Sequence, residues 1–337
     1  MIRTFVCLLA SMAMVSASAL GAEPTKLKLS FFSSDRSTSY FAAVKPFMDA
    51  VNSEAKGMVE IELFASGALG RDLLQQPQLV LDGTADIAYV VPGLTRELFP
   101  DNAVVELPGL FNNTREATVV FTRLVAANAL KGYENYFVVG AYVTEPETVH
   151  SRTPIRSLAD LKGKRIRANN PGQTAALSKL DALPILMPVN KIAEALGGGA
   201  LDAAVVSTSP LHDFGIRRVA NYHYLLPTSG APLMVLMSRK VFENLPPSAR
   251  DVIRKFSGVW AAERFIETFD KAERAIMVEL RADAKQHVLE PTASDLDRAK
   301  VVFKTVREDW VTDSPHNSAL LDIAMKELAA VRGVSER

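Results

Sequence analysis

The sequence has almost no cysteine: one residue in 337, Cys7, and it stands inside the first apolar run. Without a pair there is no disulfide framework, and beyond that run there is no thiol for nucleophilic or metal chemistry. A chain of this length, 48% apolar, buries enough surface to do without such staples. An excess of charge of either sign is also missing. Lys plus Arg total 38 and Asp plus Glu total 38, with no basic stripe interleaved with aromatics. That balance excludes nucleic acid and anionic membrane surfaces as bulk electrostatic partners. The five histidines, His150, His212, His223, His287 and His316, form neither H-x-x-x-H nor H-E-x-x-H, so no metal site is expected. There is no G-x-S-x-G elbow, and Gly197-Gly198-Gly199 lacks a following Lys-Ser or Lys-Thr, so it reads as a helix end. Carboxylates such as Glu145 and Glu147 lie close in sequence, which alone does not make an acid–base pair. The expectation is a protein without catalysis and without a cofactor.

Long hydrophobic runs are absent except at the N-terminus. Arg3 precedes the apolar run Phe5 to Val15, and small residues follow up to Leu20-Gly21-Ala22. This is the pattern of a secretory signal peptide, residues 1–22, with cleavage expected after Ala22; cleavage after Ala19 and an uncleaved anchor are the alternatives. The run is too short for a comfortable membrane span, and no later segment is long and apolar enough for one. A periplasmic protein with no stable membrane insertion is expected.

What is present is a repeated α/β grammar. Leu27 to Phe32 and Val59 to Phe64 alternate as strands, and Asp86 to Val91 is a short apolar strand. Ser37 to Ala55, with a kink expected at Pro46, and Asp72 to Leu81 read as helices. The same order restarts near residue 150, with strands at Gly163 to Arg167, Ile185 to Met187 and Leu201 to Val206. Helices are expected at Gln173 to Leu180 and Lys191 to Leu196. "LVLDGTADIAYVVPG", residues 79–93, and "EALGGGALDAAVVSTSP", residues 194–210, share a helix, a glycine break, an Asp and a strand ending in Val-Val. Asp86 corresponds to Asp202 and Val91 to Val206. Two lobes of similar build follow, each a mostly parallel sheet with helices. Leu233 to Met237 adds a strand. A long helical region then runs from Ala249 to His287, from Ser294 to Trp310 and from Ser318 to Val331. A helix from Ala249 towards Gln286 would reach across both lobes.

Ligands of open α/β sheets sit outside the carboxyl ends of the strands. Arg167 stands at such an end, before Asn169-Asn170-Pro171-Gly172 and a helix start. A guanidinium there suits a carboxylate through paired hydrogen bonds, with Asn170 three residues on as an added donor. A surface arginine or an ion pair within the lobe is the alternative.

These residues carry a family resemblance over most of the chain beyond residue 22. "FASGALGRDLLQQPQLVLDGTADIAYVVPGL", "ELPGLF" at 106–111, "RTPIRSLADLKGKRIRA", "LPILMPVNKIAEAL", "ALDAAVV" and "LPPSARDVI" occur in order. The chain resembles the DctP-type solute-binding proteins of TRAP (tripartite ATP-independent periplasmic) transporters. The resemblance implies an α/β clamshell, a two-lobe periplasmic binding protein fold with a hinge and a long lobe-spanning helix. Lobe I is expected from 23–146 with 233–273, and lobe II from 147–232 with 274–337. It further implies that Arg167 binds a ligand carboxylate, and that a monomer delivers its small organic acid to a TRAP membrane permease. A sensor-linked binding protein, or a secreted enzyme on the same frame, are the alternatives. Several departures are informative. Ala203, Ala204, Val205 and Val206 replace a polar set that many relatives carry, and Phe32, Val91 and Leu94 stand at the first-lobe strand ends. A second arginine used by some members, about twenty residues upstream, is replaced in the region of Pro146 and Glu147. The pocket expected around Arg167 and Asn170 is therefore apolar: Phe32, Val91, Val189, Val206 and Ser207, with Tyr89 and Phe214. An aryl or branched alkyl acid should fit it better than a sugar acid.

Overall fold

A computed structural model describes residues 23–335; the expected signal segment 1–22 and its cleavage site lie outside the described residues. In the first half, β1 (Thr25–Ser30) leads through a π-helical turn, Tyr40–Val44, into α1 (Lys45–Glu54). Then come β2 (Val59–Phe64), α2 (Gln76–Leu81), β3 (Ile87–Val90), α3 (Thr114–Ala126) and β4 (Tyr136–Val143). The chain crosses to β5 (Thr148–Ser151), β6 (Arg165–Ala168), α4 (Pro171–Lys179), β7 (Leu183–Leu186), α5 (Ile192–Gly197), β8 (Ala203–Val206), α6 (Ser209–Asp213) and β9 (Tyr222–Tyr224). It returns through β10 (Pro232–Ser238), α7 (Arg239–Asn244), α8 (Pro247–Lys255), α9 (Val259–Ala282), β11 (His287–Leu289), α10 (Ala293–Thr312) and α11 (Pro315–Ser335). Among the described residues no helix is long and apolar enough to cross a membrane.

Two sheets result, ordered β2-β1-β3-β10-β4 and β11-β9-β5-β8-β6-β7. In each, three parallel strands meet an antiparallel fourth, β10 against β3 and β5 against β8. The fully buried central strands β3 and β8 are the unbroken apolar runs of the sequence, as burial on both faces requires. The internal repeat is realised in hydrogen bonds. Asp86 accepts the Lys28 N–H at 2.8 Å and donates its own N–H to the Lys28 carbonyl; Asp202 does the same with Arg165, also at 2.8 Å.

Two chain segments cross between the sheets and pair with each other. Thr144 N–H donates to Ala231 O, Glu147 N–H to Ser229 O, and Thr228 N–H to Glu147 O, each at 3.0 Å. Gly230 makes this approach possible, because a Cβ there would lie 2.4 Å from the Thr144 carbonyl oxygen. Gly230→Ala must push the crossing strands apart. We expect it to lower folding stability by about 1–3 kcal/mol, the usual cost of overpacking. Chemical denaturation checks this; an unchanged midpoint would mean that the crossing yields without strain.

The third connection is α9, whose 24 residues span about 36 Å. Ala261, Phe265 and Phe269 enter the first lobe's core, and Ile276 and Leu280 the second's. The continuous helix expected from Ala249 is thus corrected: it breaks after α8, where Gly258 takes φ +60° and donates its N–H to Val139 O on β4. The helix expected from Ser37 is a π-helical turn followed by α1, with Pro46 in the first turn of α1 rather than at a kink. The C-terminal helices divide between the lobes. α10 buries Ala299, Phe303 and Val306 in the second core. α11 instead sets Leu320, Ala324 and Leu328 against Val120, Phe121 and Leu124 of α3 in the first, so its assignment to lobe II is corrected.

Candidate functional site

The cleft between the sheets holds a cavity enclosing about 520 Å³ of space free of atoms, part of it open to solvent. Arg167 is at its base. β6 is flanked by β7 and β8, and all three are parallel, so their carboxyl ends project their last carbonyls on the same side. The Arg167 guanidinium, 1% exposed, lies among these ends. Nε donates to Met187 O at 2.8 Å, Nη1 to Val205 O at 2.7 Å and Nη2 to Asn169 Oδ1 at 2.8 Å. Three of its five N–H groups are spent on the protein, leaving one on each terminal nitrogen. Burial lowers its pKa and neighbouring Glu147 raises it; an arginine stays charged regardless.

Glu147 is the second charge lining the cavity, 3% exposed, with Oε2 3.9 Å from Arg167 Nη1. Gln173 Nε2 donates to that oxygen at 2.7 Å. Burial pushes the Glu147 carboxyl up to about 7, although Arg167, Gln173 and the Ser207 backbone all favour its ionised form. Gln173 also accepts the Asn169 N–H through Oε1, fixing the residue that accepts from Arg167.

The remaining walls come from both lobes. Phe32, Tyr89, Val91, Leu233 and Phe269, with the hydroxyls of Ser33 and Ser39, belong to the first; Val189, Val206, Ser207, Ser209, Pro210 and Phe214 belong to the second; Thr144 and Ala231 of the crossing segments complete the lining. Two buried polar atoms on residues lining the cavity lack a well-formed hydrogen bond: Asn169 Nδ2 and the Tyr89 hydroxyl, which has the Ser39 side chain beside it. Tyr89 lies between Phe31 and Phe32, with ring centroids at 5.2 and 5.6 Å, and burial raises its pKa. The lobes touch at the rim, where Thr38 N–H donates to Asp213 Oδ2 at 3.0 Å. Behind the wall, His150 Nε2 lies 3.0 Å from Val206 O and its Nδ1 2.7 Å from Nδ1 of His223. Burial and His223 hold His150 down to about 3, so it is neutral.

Of the nine residues singled out in the sequence, Arg167, Phe32, Tyr89, Val91, Val189, Val206, Ser207 and Phe214 line this one cavity. Asn170 does not, and its expected place there is corrected. It caps α4, accepting the Gln173 N–H through Oδ1 at 2.8 Å, and its Nδ2 faces Ser229. The Asn-Pro pair carried that signal, since a capping Asn before a proline at the first helical position is a helix start. Asn169 takes the place by Arg167 instead. Leu94, named with the strand ends, packs on the first lobe's core outside the cavity. Glu147, Asn169, Leu233 and Phe269 were not foreseen as lining, nor were Ser33, Ser39, Thr144, Ser209, Pro210 and Ala231. Glu147 sits in a crossing segment, where no periodicity marks the inward face.

Comparison with known proteins agrees with this architecture. The family model "Bacterial extracellular solute-binding protein, family 7" matches residues 29–313. The 2,3-diketo-L-gulonate-binding periplasmic protein YiaO of Escherichia coli is 25% identical over 94% of this chain and 96% of its own. Among solved structures, a marine metagenome TRAP solute binding protein specific for aromatic acid ligands, in complex with metahydroxyphenylacetate, superposes with a TM-score of 0.84. It is 24% identical and covers 91% of this chain and 99% of its own. A TRAP solute binding protein from Rhodoferax ferrireducens with copurified benzoate gives 0.83, at 23% identity over 92% and 99%. With the family model covering most of its length and the two-lobe fold shared throughout, this chain belongs to family 7 of the bacterial extracellular solute-binding proteins, the solute-binding proteins of TRAP transporters.

Proposed function

We propose that the cavity captures a small organic monocarboxylate with an aromatic or otherwise apolar tail, in the periplasm, and that the protein acts as a monomer handing it to a TRAP membrane permease. The observation that carries this reading is the buried Arg167 guanidinium with two N–H groups left over, set among walls that are mainly apolar, with hydroxyls at Ser33, Ser39, Thr144, Ser207 and Ser209. A carboxylate takes both N–H groups as a bidentate pair, and Asn169 Nδ2 is a further free donor. The named ligands of relatives point two ways: the Escherichia coli relative is named for a diketo sugar acid, and the two solved structures hold aryl acids. The walls favour the second. Each sugar hydroxyl left unpaired against Val91, Val206, Leu233 or Phe269 costs about 1–3 kcal/mol, whereas a ring there gains about 25 cal/mol per Å² buried. The Tyr89 hydroxyl offers one polar partner for a ring substituent. Calorimetric competition between benzoate, a hexuronate and succinate on the chain from Glu23 onward tests the reading. Benzoate is expected to bind about tenfold tighter or better; tighter binding of either polar acid overturns the ligand class.

A further inference from the structure

Arg167 and Glu147 are the two charged side chains lining the cavity, both buried, 3.9 Å apart. The site is therefore neutral when Glu147 is ionised, and a bound carboxylate would bring a second negative charge next to it with no second cation. The other charged groups near Glu147 do not supply one. Glu145, two residues earlier on the same crossing segment, faces away toward Thr208 and Glu273 of α9. Gln173 of α4, Thr228 of the second crossing and the Ser207 backbone are uncharged. From the first lobe, buried Glu106 on the 3₁₀ turn Pro100–Glu106 senses Glu147 and Arg96, and is itself pushed up to about 8.

We infer that Glu147 sets the charge this site accepts: each monocarboxylate is captured together with one proton, which goes onto Glu147, so that the closed site holds one cation and one anion. The reaction balances as protein plus carboxylate plus proton giving the neutral-site complex. The inference rests on the organic-acid reading above and deepens it. It explains how an acid can stand beside the anchor arginine without repelling an anionic ligand. It also disfavours dianions, whose second charge has no further cation in the cavity lining to neutralise it. The rise of the Glu147 carboxyl to about 7 places the exchange near neutral pH.

Benzoate and 3-hydroxybenzoate, both ionised throughout, are titrated calorimetrically from pH 6 to 9 in buffers of differing ionisation heat. Below pH 7 Glu147 already holds its proton, so affinity is flat and little proton is taken up. Above it, affinity falls by up to about tenfold per pH unit and proton uptake approaches about one per ligand. Glu147→Gln is expected to bind with no such slope and no uptake, and to exceed wild type at pH 8.5; Glu106→Gln is expected to keep the wild-type slope. Without ligand, the raised carboxyl also has a signature. The stability it contributes is present in full below the unfolded value of 4.5 and is lost as pH rises through about 7, so wild type weakens relative to Glu147→Gln across that window. Binding with a flat profile in wild type, or a slope that Glu147→Gln retains, overturns the inference and leaves the organic-acid reading standing. Preference for the zwitterion phenylalanine over benzoate also overturns it, since an ionised Glu147 would then pair with the ammonium. Binding of neither aryl acid at any pH overturns the organic-acid reading and the inference together.

Discussion

Arg167→Lys is expected to weaken carboxylate binding by about 2–4 kcal/mol, roughly 30- to 1,000-fold in Kd. The guanidinium performs two tasks at once. It ties the ends of β7, β8 and the Asn169 turn through three hydrogen bonds, and one N–H on each terminal nitrogen is left over, which the proposed ligand would take. A lysine has three donors on one atom and cannot do both. The Met187 and Val205 carbonyls lose their charged donor, so part of the loss should also appear as a lower Tm. Calorimetry with benzoate on protein shown to be folded by circular dichroism separates the two effects. Equal affinity of the variant and wild type would remove Arg167 as the anchor.

Glu273→Ala is expected to cost about 2–5 kcal/mol of folding stability. Glu273 projects from α9, and its carboxylate accepts the N–H groups of Thr208 at 3.0 Å and Ser209 at 2.8 Å. Those residues open α6, which carries Pro210 and leads to Phe214 in the cavity wall. Thr208 Oγ1 in turn donates to Glu145 in the crossing segment at 3.1 Å. One side chain thus ties the spanning helix to the second lobe's wall. Thr208 and Ser209 are both 2% exposed, so removing the carboxylate strands two buried donors. Burial and Glu145 raise the Glu273 carboxyl well above its ordinary range, the sign of an acid held where only those bonds justify it. Glu273→Gln keeps one acceptor oxygen and should lie between the two. Urea midpoints rank the three proteins, and an alanine variant as stable as wild type would mean that water replaces the carboxylate.

The sequence by itself determined the parts whose signals are local. Strands β1, β2, β3, β8 and β10 followed from alternation or from unbroken apolar runs, and the two lobes from the Asp86 and Asp202 repeats. Arg167 was legible because a charged residue ending a strand before a helix start has few other places to face. Of the residues that line the cavity, Tyr89 and Val91 sit at alternate positions along and just past β3, where a strand's period of two sends both to one face, whereas Val189 and Phe214 lie on helical turns that periodicity does not aim. Tertiary structure alone decided what depends on contacts distant in sequence. Nothing near Ser257-Gly258 says that the break between α8 and α9 is held by Val139, 119 residues earlier. The apolar stripe of α11 fits either lobe, and only the apolar face of α3, with Val120, Phe121 and Leu124, selects the first. Asn169 and Asn170 are equivalent by composition; capping geometry consumes one and frees the other for the guanidinium. Glu147 faces Arg167 because two crossing segments pair through Ser229 and Thr228, and a pairing between segments some eighty residues apart leaves no periodicity to read.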